Sequence, residues 1–219
     1  SNYCSPDEAE TELRTHLGIL ESEVEARHLK MKVGRVQETW AKNCVAVGLS
    51  QGFIEPLEAT ALQFVYATID QFSQALEEGN FTNQYREEFN TRMNANFEGI
   101  RDYIVLHYKT NSRNDSQYWI DNRENQKISE NLRAMIECWY AIEDMQDALT
   151  RLNIGSYYSQ RSWTCLLAGV GIFPRQENLV VPDAENAAKA KDDMEYVDRF
   201  IGGCSMNFES HKNFLSKKI

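Results

Sequence analysis

The spacing of the apolar residues is the strongest constraint on the fold, because they recur every three or four positions through the middle of the chain. That period places them on one face of an α-helix. A capping box that begins at Ser5 predicts a further helix near the N-terminus. The predicted helices span residues 6–20, 60–76, 83–108, 128–152 and 183–201, and residues 163–173 favour a short buried helix or turn.

Two apolar runs ahead of the long helices, residues 30–36 and 44–49, favour neighbouring β-strands. A sheet of two strands is marginal on its own in water. The two strands should therefore pair beneath a helix or complete a sheet whose other strands lie outside this chain. The predicted fold class is mainly α with a short strand pair.

The charge balance and the metal-ligating residue types exclude several classes of function. The 219 residues carry 23 basic and 33 acidic side chains, so the net charge is -10 and repels nucleic acid and anionic membranes. The five cysteines form no CxxC pair and the four histidines lack metal-binding spacing, so no metal site is predicted. His107 is predicted to be a hydrogen-bonded packing residue on the long helix. No apolar run is long enough to cross a bilayer. We expect a protein of the reducing cytoplasm.

The segment Asn43–Leu62 is the candidate functional site, because it places Glu55, Pro56 and Glu58 between the second predicted strand and a long helix. Ligands of sheet proteins often bind at a strand-to-helix crossing. Alternatively, Pro56 begins the helix and the two carboxylates only stabilise its positive end, by ~0.3–1 kcal/mol each. Both interpretations stay open on the residues alone.

A more specific signal comes from Trp40, NCVAVGL at 43–49, GFIEPLE at 52–58 and Thr60, with further matching stretches at 5–9, 27–35, 101–108, 114–119 and 163–174. Together these residues resemble the flavin-dependent tryptophan halogenases. The resemblance implies a C-terminal helical substrate-binding region combined with closing elements of an FAD-binding, flavoprotein-monooxygenase-like fold. Residues 1–80 would close the flavin and halide module, and residues 81–219 would form the substrate-binding domain.

The activity implied by the resemblance is halogenation of an electron-rich aromatic: tryptophan, another indole or a phenol. The family uses reduced FAD, O2 and chloride or bromide, with hypohalous acid as the oxidant. Glu58 stands in the position of the family's catalytic glutamate, and the backbone N–H groups of Thr60 and Ala61 stand where halide binds. Those amides are available only if the helix begins near Thr60, so residues 55–59 are predicted to form a non-helical elbow.

Other positions are assigned by the same resemblance. Leu49 and Leu62 occupy positions whose backbones contact the flavin. Tyr157 and Tyr158 stand where the family carries a substrate-stacking aromatic pair, so we expect them to bind substrate. Ala59 departs from the family pattern, in which a serine is common beside the glutamate.

The sequence contains neither a GxGxxG fingerprint nor the family's WxWxIP signature. We therefore expect an N-terminal half, in the same or a separate chain, to supply the FAD module and the catalytic lysine, and this chain alone to be inactive. A separate flavin reductase is the other implied partner, and a homo-oligomer stays open. The alternatives are a related flavin monooxygenase that hydroxylates and a stand-alone helical binding protein.

Overall fold

Helices form most of the structure, as the apolar spacing predicts. The computed structural model describes residues 2–55, 57–154, 157–174, 177, 179 and 181–217, so the prediction made for Pro56 lies outside the described residues. The chain divides into two compact units, Ser1–Arg175 and Gln176–Ile219. Among the described residues, no helix combines the length and the hydropathy needed to cross a membrane.

The helices of the first unit are, in chain order, α1 (Pro6–Leu17), α2 (Thr60–Glu78), α3 (Arg86–Lys109), α4 (Gln117–Glu124), α5 (Glu130–Ala141), α6 (Met145–Arg151) and α7 (Gln160–Gly169). The second unit contains α8 (Ala184–Asn207) and α9 (His211–Ser216). The capping box predicted at Ser5 begins α1, with Ser5 Oγ accepting from the amide of Glu8 and Glu8 accepting from the amide of Ser5.

The strands are shorter than predicted and pair differently. They are β1 (Gly34–Arg35), β2 (Trp40–Ala41), β3 (Cys44–Val45) and β4 (Gly52–Phe53). Pairing of residues 30–36 with 44–49, which was one of the two arrangements left open, does not occur, because β1 pairs with β4 and β2 with β3, both antiparallel. A two-residue turn at Lys42 and Asn43 returns the chain directly onto β2, and Lys42 takes a positive φ of 54° to make it.

The helix predicted over residues 128–152 is in fact two helices. Ile142 adopts a left-handed backbone with φ of 60° and ends α5. Asp144 then caps α6, since its side chain accepts from the amides of Gln146 and Asp147. The N-cap side chain of Asp144 thus begins a new helix, although the apolar residues keep their helical spacing across the break.

Two other predictions about helices also differ from the structure. Helix α4 was not predicted, because its eight residues carry no clear apolar face. The last long helix was expected to end at Gly202 and Gly203, but α8 continues through both to Asn207. A glycine costs a helix interior only about 1 kcal/mol relative to alanine, which is too little to end a helix of this length.

Helix α3 is the spine of the first unit and supports two clusters of buried side chains. One cluster packs α3 against α2 and the β2–β3 hairpin: Trp40, Phe64, Phe89, Met93, Phe97, Ile100 and Ile104. The other joins the C-terminal half of α3 to α5, α6 and α7, with the buried residues Tyr103, Leu106, Leu132, Met135 and Trp163 among its members. The candidate site lies where α3 passes from one cluster to the other.

Candidate functional site

The elbow before α2 has an unusual backbone. Glu58 and Ala59 both adopt left-handed conformations, with φ of 59° and 53°, at the end of a single 3-10 turn over Leu57–Ala59. Each such residue other than glycine costs roughly 1–2 kcal/mol, so neighbouring structure must hold them in place. Helix α2 then begins at Thr60, where it was predicted to begin.

The carboxylate of Glu58 is held by a residue of α3. Oε1 of Glu58 lies 3.1 Å from Nε2 of His107, and Nδ1 of the same imidazole lies 2.9 Å from the backbone carbonyl oxygen of Tyr103. His107 was predicted to be a hydrogen-bonded packing residue; it is hydrogen-bonded, but its contact with Glu58 was not predicted. Glu58 and His107 are 49 positions apart, and no local pattern connects them.

The two tyrosines predicted to bind substrate meet the first residue of α2. The hydroxyl oxygen of Tyr158 lies 2.5 Å from Oγ1 of Thr60, and the hydroxyl of Tyr157 donates to the Thr60 carbonyl at 3.3 Å. The ring of Tyr158 also stacks on Tyr103, with centroids 3.7 Å apart and planes 20° apart. Both tyrosines therefore contact Thr60, which follows Glu58 by two positions in the chain.

These phenols are held in their neutral form. Burial is the main cause that raises the pKa of Tyr103, Tyr157 and Tyr158 above the ordinary value of 10.0. The negative charge of Glu58 raises the pKa of Tyr103 and Tyr158 further. All three hydroxyls consequently stay protonated, and that of Tyr103 donates to the carbonyl oxygen of Ser162 at 3.2 Å.

A cavity of about 240 Å³ lies beside the elbow, between the 48–55 segment, α2 and α3. Its wall is mainly apolar, and the positions predicted to contact halide or flavin all border it: Leu49, Thr60, Ala61 and Leu62. Leu49 and Leu62 are 79% and 70% exposed, which is unusual for leucines next to a buried cluster. Glu55 lines the cavity, whereas Glu58 does not.

The N-terminus of α2 has no side-chain acceptor at its N-cap position. Ala59 occupies that position and makes no capping hydrogen bond through its side chain. The first amides of a helix carry a partial positive charge and can bind an anion. Among the described residues, no group of three His, Cys, Asp or Glu side chains could hold a metal ion.

Comparison with known proteins identifies the family. The family model for tryptophan halogenases matches residues 1–186. This chain belongs to the tryptophan halogenase family. A curated relative, the 7-chloro-L-tryptophan 6-halogenase KtzR of Kutzneria sp., is 36% identical over 193 residues, which are 86% of this chain and 36% of the relative.

Solved structures of a tryptophan halogenase and of another flavin-dependent halogenase show the same fold. The thermophilic tryptophan halogenase from Streptomycin violaceusniger aligns with a TM-score of 0.73 and 32% identity over 91% of this chain and 39% of its own. BrvH, a flavin-dependent halogenase from Brevundimonas sp. BAL3, aligns with a TM-score of 0.74 and 30% identity over 97% of this chain and 42% of its own. The chain spans little more than a third of the length of the curated relatives it matches.

Proposed function

We propose that this chain forms the substrate side of a flavin-dependent halogenase active site, in which Glu58 is the catalytic base. The observation that carries the proposal is the elbow, which holds a carboxylate on a left-handed backbone beside two tyrosines and the N-terminus of α2. Backbone strain of this kind, with two neighbouring left-handed residues other than glycine, is found most often at active sites and ligand-binding sites.

The acceptor is proposed to be an electron-rich aromatic: tryptophan, another indole or a phenol. Hypohalous acid transfers its halogen to a ring carbon, and its hydroxyl oxygen leaves as water with one added proton. The ring is then cationic, and a carboxylate nearby stabilises that charge and removes the ring proton, which restores aromaticity. Glu58 is the group suited to this role, while Tyr157 and Tyr158 supply aromatic surface to the ring.

Reduced FAD, O2 and a chloride or bromide ion would supply the hypohalous acid. The residues present fit these groups, because the cavity beside the elbow is mainly apolar and its rim exposes Leu49 and Leu62. A planar flavin ring would contact this rim. The halide would bind the amides of Thr60 and Ala61, where the side chain of Ala59 offers no competing acceptor.

The proposal also requires partners. An N-terminal half would provide the FAD module and a catalytic lysine, and a separate reductase would deliver reduced flavin. In that arrangement residues 1–80 close the flavin and halide module, whereas residues 81–219 bind the substrate. The chain by itself would not turn over.

The test is Glu58→Gln in the chain combined with its flavin-binding half. We expect arene halogenation to fall at least about a hundredfold, while flavin binding and hypohalous acid production persist. Glu77→Gln is the matched control, because Glu77 is an exposed carboxylate at the far end of α2. Full turnover by Glu58→Gln would refute the role of this carboxylate.

Two other outcomes would replace the proposed function. A hydroxylated product that forms without halide would identify a monooxygenase. A stable, flavin-free chain that never associates with a flavin-binding half would identify a binding protein. Both are read by mass spectrometry of the products and of the purified protein.

A further inference from the structure

The hydrogen bonds of His107 determine where its protons are. Nδ1 lies 2.9 Å from the carbonyl oxygen of Tyr103, one turn earlier in α3. A carbonyl oxygen can only accept, so Nδ1 must carry the hydrogen. In a neutral imidazole with hydrogen on Nδ1, the other nitrogen, Nε2, is an acceptor.

The partner of Nε2 is Oε1 of Glu58, at 3.1 Å. An ionised carboxylate also only accepts, so two acceptors would face each other unless one further proton lies between them. A hydrogen on Nε2 completes the contact, because Nε2 then donates and the carboxylate accepts. The contact is then a charge-assisted hydrogen bond between an imidazolium and a carboxylate.

Only one oxygen of Glu58 is engaged in this way. Among the described residues, Oε1 receives the hydrogen bond from His107 and Oε2 receives none. The side chain of Glu58 is 44% exposed and that of His107 is 21% exposed, so water reaches the carboxylate more easily than the imidazole. The arrangement orients the carboxylate and leaves one oxygen free.

We propose that His107 is a positioning residue for Glu58: as an imidazolium it holds Oε1 and presents Oε2 as the free base toward the arene. This inference rests on the proposed function of Glu58. In this proposal His107 sets the direction of the Glu58 side chain, because the left-handed backbone of Glu58 does not set it alone.

The groups that surround the pair do not compete for this proton. Tyr103 faces the imidazole edge-on from the same helix, with centroids 5.0 Å apart. Tyr158 comes from the segment before α7 and Cys165 from α7, and each interacts with Tyr103. The raised pKa of both tyrosines keeps these phenols neutral, so Glu58 is the negative partner of His107.

The first test reads the protons directly and needs no enzyme activity. Long-range proton–nitrogen NMR spectra of the full chain, labelled with 15N-histidine, distinguish which imidazole nitrogens are protonated. We expect Nδ1 of His107 to be protonated at every pH. We also expect the Nε2 resonance of His107 to shift in Glu58→Gln, because Nε2 then loses its carboxylate partner. An Nδ1 that carries no hydrogen, or a His107 spectrum that is the same in Glu58→Gln and the wild type, would overturn the proposal.

The chain contains a matched internal control. Nε2 of His28 lies 2.7 Å from Oε2 of Glu10, but no other hydrogen bond to His28 occurs in the described part of the chain. His28 should respond to Glu10→Gln and ignore Glu58→Gln. The comparison separates a general response to a lost carboxylate from the fixed tautomer that we assign to His107.

The second test uses the chain combined with its flavin-binding half. It distinguishes the contact of His107 with the carbonyl of Tyr103 from its contact with Glu58. His107→Asn can keep the contact to the carbonyl of Tyr103, as Asn122 does with the carbonyl of Tyr118 at 2.8 Å, but it cannot reach Glu58. His107→Gln is long enough to donate to Glu58. We expect His107→Asn to lower kcat by about tenfold to a hundredfold with KM little changed, and His107→Gln to recover part of that loss.

Wild-type kcat in a folded His107→Asn variant would overturn the positioning role. Failure of the proposed function gives a different result, because the wild-type enzyme would then halogenate no arene while the NMR spectra still report the pair. The two failures are therefore distinguishable.

Discussion

The hydroxyl of Tyr108 donates a hydrogen bond to Oε2 of Glu55. Its neighbour in α3, His107, contacts Glu58, so two consecutive residues of one helix hold both carboxylates of the elbow. Consecutive helical residues point about 100° apart, and the elbow is thus fixed from two directions. The position of the elbow is set by α3 rather than by the helix that it begins.

The ionisation of Tyr108 should report this contact. Burial is the larger cause that raises the pKa of Tyr108, and the hydrogen bond to Glu55 raises it further. In Glu55→Gln the phenol should ionise at a lower pH than in the wild type, yet still above its ordinary value of 10.0. Ultraviolet difference titration measures this, with Tyr108→Phe identifying the signal. An unchanged titration would mean that Glu55 and Tyr108 are not in contact.

Asp102 should give the stability of the first unit a negative dependence on pH. It is buried, and burial raises its pKa although Ser129 and Arg101 act in the opposite direction. The folded state then binds the proton more tightly than the unfolded state. The contribution of Asp102 is full below its ordinary pKa of 3.8 and is lost as the pH rises through the higher folded value.

Urea unfolding at a series of pH values tests this expectation. The free energy of unfolding of the wild type should fall relative to that of Asp102→Asn as the pH rises above 3.8. Asp115 is the control with the opposite sign, because the hydrogen bond from Arg113 lowers its pKa and its contribution is lost as the pH falls. Parallel curves for the wild type and Asp102→Asn would contradict the prediction.

Gly52 should not tolerate a side chain. A Cβ atom there would lie 2.7 Å from the carbonyl oxygen of Gly34 and 2.7 Å from Cε2 of Phe97. Gly52→Ala must therefore separate β1 from β4, at a cost of about 1–3 kcal/mol in the free energy of unfolding. Gly202→Ala is the control, since nothing lies within 4 Å and α8 should gain about 0.5–1 kcal/mol. Equal free energies of unfolding for Gly52→Ala and the wild type in urea would show that β1 and β4 separate without cost.

Asn90 should contribute strongly to stability because it pairs both backbone polar groups of Trp40. Its Oδ1 accepts from the Trp40 amide at 2.8 Å, and its Nδ2 donates to the Trp40 carbonyl at 3.0 Å. Asn90→Leu would leave both groups buried and unpaired, and we expect a loss of about 2–4 kcal/mol. Asn94→Leu, which removes one exposed hydrogen bond to Gln37, should cost less. Urea unfolding followed by tryptophan fluorescence compares the two.

The helical period located α2 and α3 to within a few residues, because their apolar faces pack on the two buried clusters and the period records that packing. It did not reveal the break at Ile142, where a left-handed residue and the cap at Asp144 interrupt an apolar pattern that continues. The alternating apolar runs did not reveal the β2–β3 hairpin, since its turn at Lys42 uses a positive φ without a glycine.

Resemblance to the family, rather than periodicity, pointed to Glu58, Tyr157 and Tyr158, and the structure brings these three residues together around Thr60. Their catalytic and binding roles stay predictions. The partner of His107 was missed because its contact with Glu58 exists only once α3 packs beside the elbow. Tertiary contacts of this kind leave no trace in local sequence patterns.

Ala59 adopts a left-handed conformation, so a substitution there should affect the stability of the fold and the geometry of the active site in opposite directions. Glycine at this position would adopt the same φ without the steric cost, so Ala59→Gly should favour the folded state. The same change would let the neighbouring peptide units sample more orientations, and Glu58 with them. A library screened for heat resistance should therefore enrich glycine at position 59, whereas one screened for turnover should retain a residue with a Cβ atom.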